Sequence, residues 1–136
     1  GDNFQLDMLK KLELSDDNHI ELISYCQEKG INFFSTAFDL DGVNYLNQLS
    51  LPLFKIPSGE ITNFPYLKAV ALCRKPTIMS TGMSTEDEIE QAISVLIKYG
   101  LTKNKIYAYR FRNDNIVRPI GARKRWICCS KQPKHW

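Results

Sequence analysis

Three short apolar runs recur along the chain, each closed by small polar residues and each followed by a helical pattern. The runs are Ile31-Asn32-Phe33-Phe34-Ser35-Thr36, Leu53-Phe54-Lys55-Ile56 and residues 75–80. Their spacing of about 20 to 25 residues is the rhythm of parallel strands joined by crossover helices. The intervening helices carry their own signals. Ser15 precedes Asp16 and Asp17, a cap followed by an acidic first turn, with Leu22, Ile23 and Cys26 on one face and Gly30 as the stop. A second helix over about 41–49 carries Val43, Leu46 and Leu49. A third begins near Asn63, with Pro65 tolerated in its first turn. Thr85 with Glu88 forms a capping box for a fourth, whose stripe of Ile89, Ala92, Ile93 and Leu96 closes at Gly100. Residues 106–109 read as the start of a further strand. Periodicity does not say whether the sheet closes into a barrel or stays open, because both share this local pattern.

Composition excludes several classes. Of the 136 residues 43% are hydrophobic and 24% charged, which suits a folded globular chain and not a disordered one. The apolar stretches fall well short of the roughly 20 residues of a membrane span. The first residues lack the pattern of a signal peptide, which makes the cytoplasm the expected compartment. Cys26, Cys73, Cys128 and Cys129 make no Cys-x-x-Cys pair, and His19 and His135 stand alone, so no metal site is expected from this segment. Cys26 and Cys73 read as plain buried thiols.

The net charge of +3 conceals an asymmetry. Residues 1–102 hold eight Lys/Arg against fourteen Asp/Glu, whereas residues 103–136 hold ten against the single acid Asp114. The chain therefore divides into a β/α portion, residues 1–105, and a basic, atypical tail, residues 106–136. The tail shows neither helical nor alternating periodicity beyond residue 110, as expected of a frameshifted, otherwise replaced or disordered segment. Arg123, Lys124 and Arg125 beside Trp126, with Lys131 and Lys134, would alternatively serve as a basic nucleic-acid-binding module, gripping phosphates and stacking on bases.

The ends of the runs carry the chemistry. Ser35 and Thr36, then Lys55 with Ser58 and Glu60, then Ser80, Thr81 and Gly82 would converge on one rim, because carboxyl ends of parallel strands form the ligand edge. Lys55 sits among apolar neighbours, and a buried ammonium needs a carboxylate or an anionic ligand. The alternative is an edge strand that points Lys55 into solvent. Ser58-Gly59-Glu60 and Ser80-Thr81-Gly82 offer hydroxyls and close backbone N–H groups to an anion, though ordinary turns use the same residues.

Three ordered blocks resemble the sialic acid (N-acetylneuraminate) synthase family. Residues 30–39, Gly30-Ile31-Asn32-Phe33-Phe34-Ser35-Thr36-Ala37-Phe38-Asp39, are similar to its GI-x-F-x-STPFD segment, with Ala37 where proline is usual. Residues 54–63, with Phe54-Lys55-Ile56-Pro57-Ser58-Gly59-Glu60, resemble its FKI–SGE strand and loop, and residues 75–83 resemble its KP-x-I-x-STGM strand. The resemblance implies an α/β fold of parallel (β/α) units, a partial TIM barrel comprising about strands three to five of eight, with an irregular C-terminal tail. It implies a transferase reaction in which phosphoenolpyruvate condenses with N-acetylmannosamine or a related amino sugar and phosphate is released. It also implies homodimers and a divalent metal, manganese or magnesium, acting as a Lewis acid.

By that pattern Lys55, Ser58, Thr36 and Ser80 hold phosphoenolpyruvate and Glu60 accepts from the amino sugar. No catalytic residue is assigned within the segment. The family's catalytic glutamate is expected upstream of Gly1; residues 106–112 do not match its sixth-strand LHC-x-x-x-YP pattern, and its metal-binding histidines are expected on later strands. A partial barrel exposes two sheet edges, so the chain alone is expected to be inactive. Another phosphoenolpyruvate-dependent keto-sugar-acid synthase is the remaining enzymatic alternative.

Overall fold

A computed structural model describes residues 14–109. The basic cluster from Arg123 to Lys134 lies outside these residues, as does the remainder of the tail beyond Tyr109. The element order is α1 (Asp16–Glu28), α2 (Leu40–Gln48), β1 (Phe54–Ile56), a 3-10 turn (Ser58–Glu60), α3 (Phe64–Leu72), β2 (Thr77–Ser80), α4 (Glu86–Lys98), a second 3-10 turn (Lys103–Lys105) and β3 (Ile106–Tyr109). The strands form one parallel sheet in the order β1-β2-β3. Helices α3 and α4 make the crossovers that parallel neighbours require.

The helices start where their local signals place them. Ser15 accepts from the Asn18 N–H to open α1, and Asn18 completes a capping box. Asp39 accepts from the Gly42 N–H at 2.6 Å to open α2. Asn63 caps α3 ahead of Pro65. Thr85 and Glu88 cap α4 reciprocally, at 3.3 and 2.8 Å. The ends of α2 and α3 are followed by Ser50 and Arg74, both at φ 56, left-handed positions that glycine fills more often.

Alternation along the strands separates two faces. Phe54, Ile56, Thr77, Met79, Ile106 and Ala108 are buried, and they pack with Leu67, Val70 and Ala71 of α3 and Ala92 and Leu96 of α4. Lys55, Ile78, Ser80 and Tyr107 take the opposite face and are only half-buried. At the amino ends of the strands, Lys75 donates to the Asn47 carbonyl at 3.3 Å and Lys105 to the Arg74 carbonyl at 3.0 Å. Those strand-entry lysines thus tie the strand starts to the chain at the ends of α2 and α3.

One expected strand does not form. Residues 31–36 pair with no neighbour, and the third strand of the sheet is β3 instead. A parallel strand is stable when both faces are covered. Here Ile31 is 61% exposed and Phe34 39%, and α1, which should cover them, buries no residue. Phe33 alone of this run packs against the core. Cys26 and Cys73 are free thiols, half-buried and not buried as expected. Burial pushes the Cys73 thiol up, against a smaller lowering by Lys75. No helix among the described residues is long and apolar enough to cross a membrane.

Candidate functional site

The polar blocks meet at the carboxyl ends of the strands. Pro57 continues extended from β1, and the 3-10 turn Ser58–Glu60 then swings the chain towards α3. Glu60, half-buried, accepts from Asn63 Nδ2 at 2.7 Å, so the residue that caps α3 also orients the carboxylate. After β2, Thr81 is buried and its carbonyl accepts from the Ser84 N–H at 2.8 Å, closing the turn into α4.

Gly82 brings the two loops together. A Cβ built at this position would lie 2.7 Å from Ser58 Cβ and 2.8 Å from Ser58 Oγ, and its φ is +40°. Only a residue without a side chain permits that approach. The sequence left this glycine between approach to an anion and ordinary turn chemistry; its immediate neighbour is the serine of the adjoining loop, so here it shapes the two loops.

The first block reaches the same rim by another route. Tyr66, in the first turn of α3, is 1% exposed and its hydroxyl donates to the Ala37 carbonyl at 2.8 Å. Burial, with the Glu60 and Asp39 carboxylates nearby, pushes the Tyr66 phenol up to about 12. Thr36, half-buried, immediately precedes the anchored Ala37. Sequence reasoning missed Tyr66, although a phenol within the otherwise apolar start of α3 was a signal that its hydroxyl must find a partner. Ala37 is buried and its Cβ is 3.1 Å from a Cβ built at Gly42, so the site is tightly packed.

Lys55 stands in the centre of β1, with register partner Ile78 in β2, and Ile78 in turn pairs with Tyr107 in β3. Its side chain is half-buried on the sheet face that the helices do not cover. The register thus supplies what sequence left open: β1 is an edge strand, yet Lys55 is not fully solvated. Among the described residues no carboxylate or hydrogen-bond acceptor engages Lys55, and no hydrogen bond joins it to Thr36, Ser58 or Ser80. Ser80 lies on the same face at the end of β2, two residues beyond Ile78. Ser58 is exposed, and Thr36 and Ser80 are half-buried. An ammonium and hydroxyls of this kind are the donor types that bind small anions.

A shallow groove of about 440 Å³ on the outer side of α3 and α4 is lined by Phe64, Asp87, Glu90, Gln91, Ser94 and Val95. Its acids oppose anion binding, and none of the rim residues lines it. Among the described residues no group of three or more His, Cys, Asp or Glu is arranged to hold a metal ion. The described rim residues, one lysine and three hydroxyls with the single carboxylate Glu60, do not by themselves make a site for the divalent cation that the resemblance implies.

Fold and rim together define a class: parallel β/α units of the TIM-barrel type, with polar residues gathered at the carboxyl ends of the strands. The structure matches that of N-acetylneuraminic acid (sialic acid) synthetase from Leptospira borgpetersenii serovar Hardjo-bovis with a TM-score of 0.72 and 30% identity, over 81% of this chain and 38% of that one. The chain belongs to the NeuB family, whose profile matches residues 1–117. N,N'-diacetyllegionaminic acid synthase of Campylobacter jejuni is 51% identical over 106 residues, covering 78% of this chain and 32% of the relative. Human N-acetylneuraminate-9-phosphate synthase is 37% identical over 87 residues, 64% of this chain and 24% of the relative. The chain thus spans about a third of the first of these relatives and about a quarter of the second. The resemblance that the three sequence blocks carried holds.

Proposed function

We propose that this chain is the phosphoenolpyruvate-holding portion of a nonulosonic acid synthase. The observation that carries the reading is Lys55, half-buried on the uncovered sheet face with no carboxylate engaging it, beside a rim where Gly82 closes on Ser58. An ammonium in such a place is stabilised by an anion, and phosphoenolpyruvate presents both a phosphate and a carboxylate. In this reading Lys55 neutralises the anion while Ser58, Thr36 and Ser80 donate hydroxyl hydrogen bonds around it. Glu60, already oriented by Asn63, accepts from a hydroxyl of the amino sugar.

The reaction joins the vinyl carbon of phosphoenolpyruvate to the aldehyde carbon of N-acetylmannosamine or a related N-acetylated amino sugar. Water then adds to the enol carbon, and the bond from that carbon to the phosphate oxygen breaks to release inorganic phosphate. Lys55 and the hydroxyls contribute by fixing the nucleophile's orientation and by carrying the charge of the departing phosphate. Both substrates are small and water-soluble, consistent with a cytoplasmic setting. In this reading the described rim contributes the phosphoenolpyruvate side of the site, with Glu60 facing the amino sugar.

Calorimetric titration of phosphoenolpyruvate onto the chain tests the reading. Saturable binding is expected, weakened at least tenfold by Lys55→Met. Equal affinity in the variant would overturn it. A separate assay with phosphoenolpyruvate, N-acetylmannosamine and manganese should release no phosphate above background; turnover at the rate of a complete synthase would refute the expectation that the chain alone is inactive.

A further inference from the structure

We infer that Tyr107 is a second anion-binding residue, holding the same ligand as Lys55 from the opposite side. This inference rests on the phosphoenolpyruvate reading and extends it to a residue outside the three sequence blocks. The register is the first reason. Lys55, Ile78 and Tyr107 are consecutive partners across β1, β2 and β3, so all three side chains leave the sheet on one face at one level. Burial is the second. Ile106 and Ala108 are buried on the helical side, whereas Tyr107 is half-buried like Lys55 and Ile78. The aromatic ring is therefore not part of the core that α3 and α4 enclose.

The spacing gives the row its chemistry. Two inter-strand steps separate the Lys55 and Tyr107 columns by roughly 10 Å. Both side chains are long enough to lean inward over Ile78, which forms an apolar floor between them. A small dianion above Ile78 meets a positive charge from one column and a phenolic O–H from the other. Charge-assisted hydrogen bonds of that kind are stronger than neutral ones. Ser80, two residues beyond Ile78 on the same face, closes the row towards the rim. The ligand class is a small molecule with phosphate or carboxylate groups, and the row is too narrow and too short for a nucleic acid backbone to run along it.

The test uses the complete 136-residue chain, wild type, Lys55→Met and Tyr107→Phe, titrated separately with phosphoenolpyruvate, inorganic phosphate and pyruvate. Far-UV circular dichroism and thermal midpoints confirm that both variants fold. Tyr107→Phe keeps the ring and removes only the hydroxyl, so its effect reports the hydroxyl and not the ring's packing. We expect about a tenfold loss of phosphoenolpyruvate affinity in Tyr107→Phe, and a larger loss in Lys55→Met. Wild-type affinity in Tyr107→Phe, with binding lost in Lys55→Met, would overturn the role of Tyr107 and leave the phosphoenolpyruvate reading intact. Failure of the wild-type chain to bind any of the three probes would overturn both.

Discussion

Helices α1 and α4 have the same length, the same kind of capping box and the same acidic first turn, yet they differ in what they bury. In α4, Ala92 and Leu96 are fully enclosed. In α1 no residue is buried, and Ile20 and Tyr25 are 56% and 58% exposed. Its attachments are the partly buried Ile23 and an edge-on stack of His19 against Phe33 and Tyr45, at 6.3 and 5.6 Å. Local signals start and stop a helix, whereas tertiary burial decides how much stability it shares with the rest of the fold. The portion before Ala37 is thus fastened loosely, and the portion from β1 onward is the cooperative body that carries the rim.

The largest expected effect tests the well-packed side. Leu96→Ala removes a fully buried side chain between α4 and the sheet, and should cost about 3 kcal/mol in chemical denaturation. A loss below 1 kcal/mol would mean that α4 is no better anchored than α1.

Next in size is the bond that ties the two portions together. Tyr66→Phe leaves the buried Ala37 carbonyl without its donor and should cost about 1–2 kcal/mol. The same phenol predicts a pH dependence. Its folded pKa, about 12, lies above the ordinary value of 10.0, so the folded form binds the proton more tightly than the unfolded chain. Stability is then complete below pH 10 and falls as pH rises towards about 12. Denaturation curves at pH 9 and 11.5 should diverge in the wild type more than in Tyr66→Phe. Equal divergence would assign the alkaline loss to other groups.

The sequence disclosed most of the cooperative body and misjudged the loose portion. Thr85 with Glu88, Asn63 with Pro65 and the apolar stripe ending at Leu96 are local statements, and local geometry obeys them. Residues 53–56 and 75–80 shortened only slightly, to Phe54–Ile56 and Thr77–Ser80. Residues 31–36 have equally good strand composition, but a strand is a relation between two segments, and composition does not name the partner. The same limit hid the Tyr66–Ala37 bond, which spans 29 positions, and the contact between Gly82 and Ser58. At the rim, residue types were legible in Lys55, Ser58, Glu60 and Ser80 because polar groups at strand ends stand out. Tyr107 was not, because only the register reveals that it shares a face with Lys55.

The caps give a smaller and more selective contrast. Thr85→Ala should lower global stability by about 1 kcal/mol, since α4 unfolds with the core. Ser15→Ala removes an equivalent cap, yet the global transition should barely move. Its effect should appear as faster amide exchange confined to α1, because a loosely attached helix opens on its own. A matching global loss in both variants would show that α1 is part of the cooperative unit.

The smallest expected effect is the most exacting. Ile20→Ala shortens a side chain that is more than half exposed, on a helix with nothing buried. Surface changes of this kind fall within about 0.5 kcal/mol, and alanine improves helix propensity slightly, which offsets part of the lost contact. Denaturation midpoints of wild type and variant should therefore coincide. A fall of more than 1 kcal/mol would place Ile20 against an apolar surface in solution and dissolve the distinction between the two helices. Coincident midpoints, combined with a large loss in Leu96→Ala, would locate the free energy of folding in the sheet, α3 and α4, the elements that also position Lys55 and the rim.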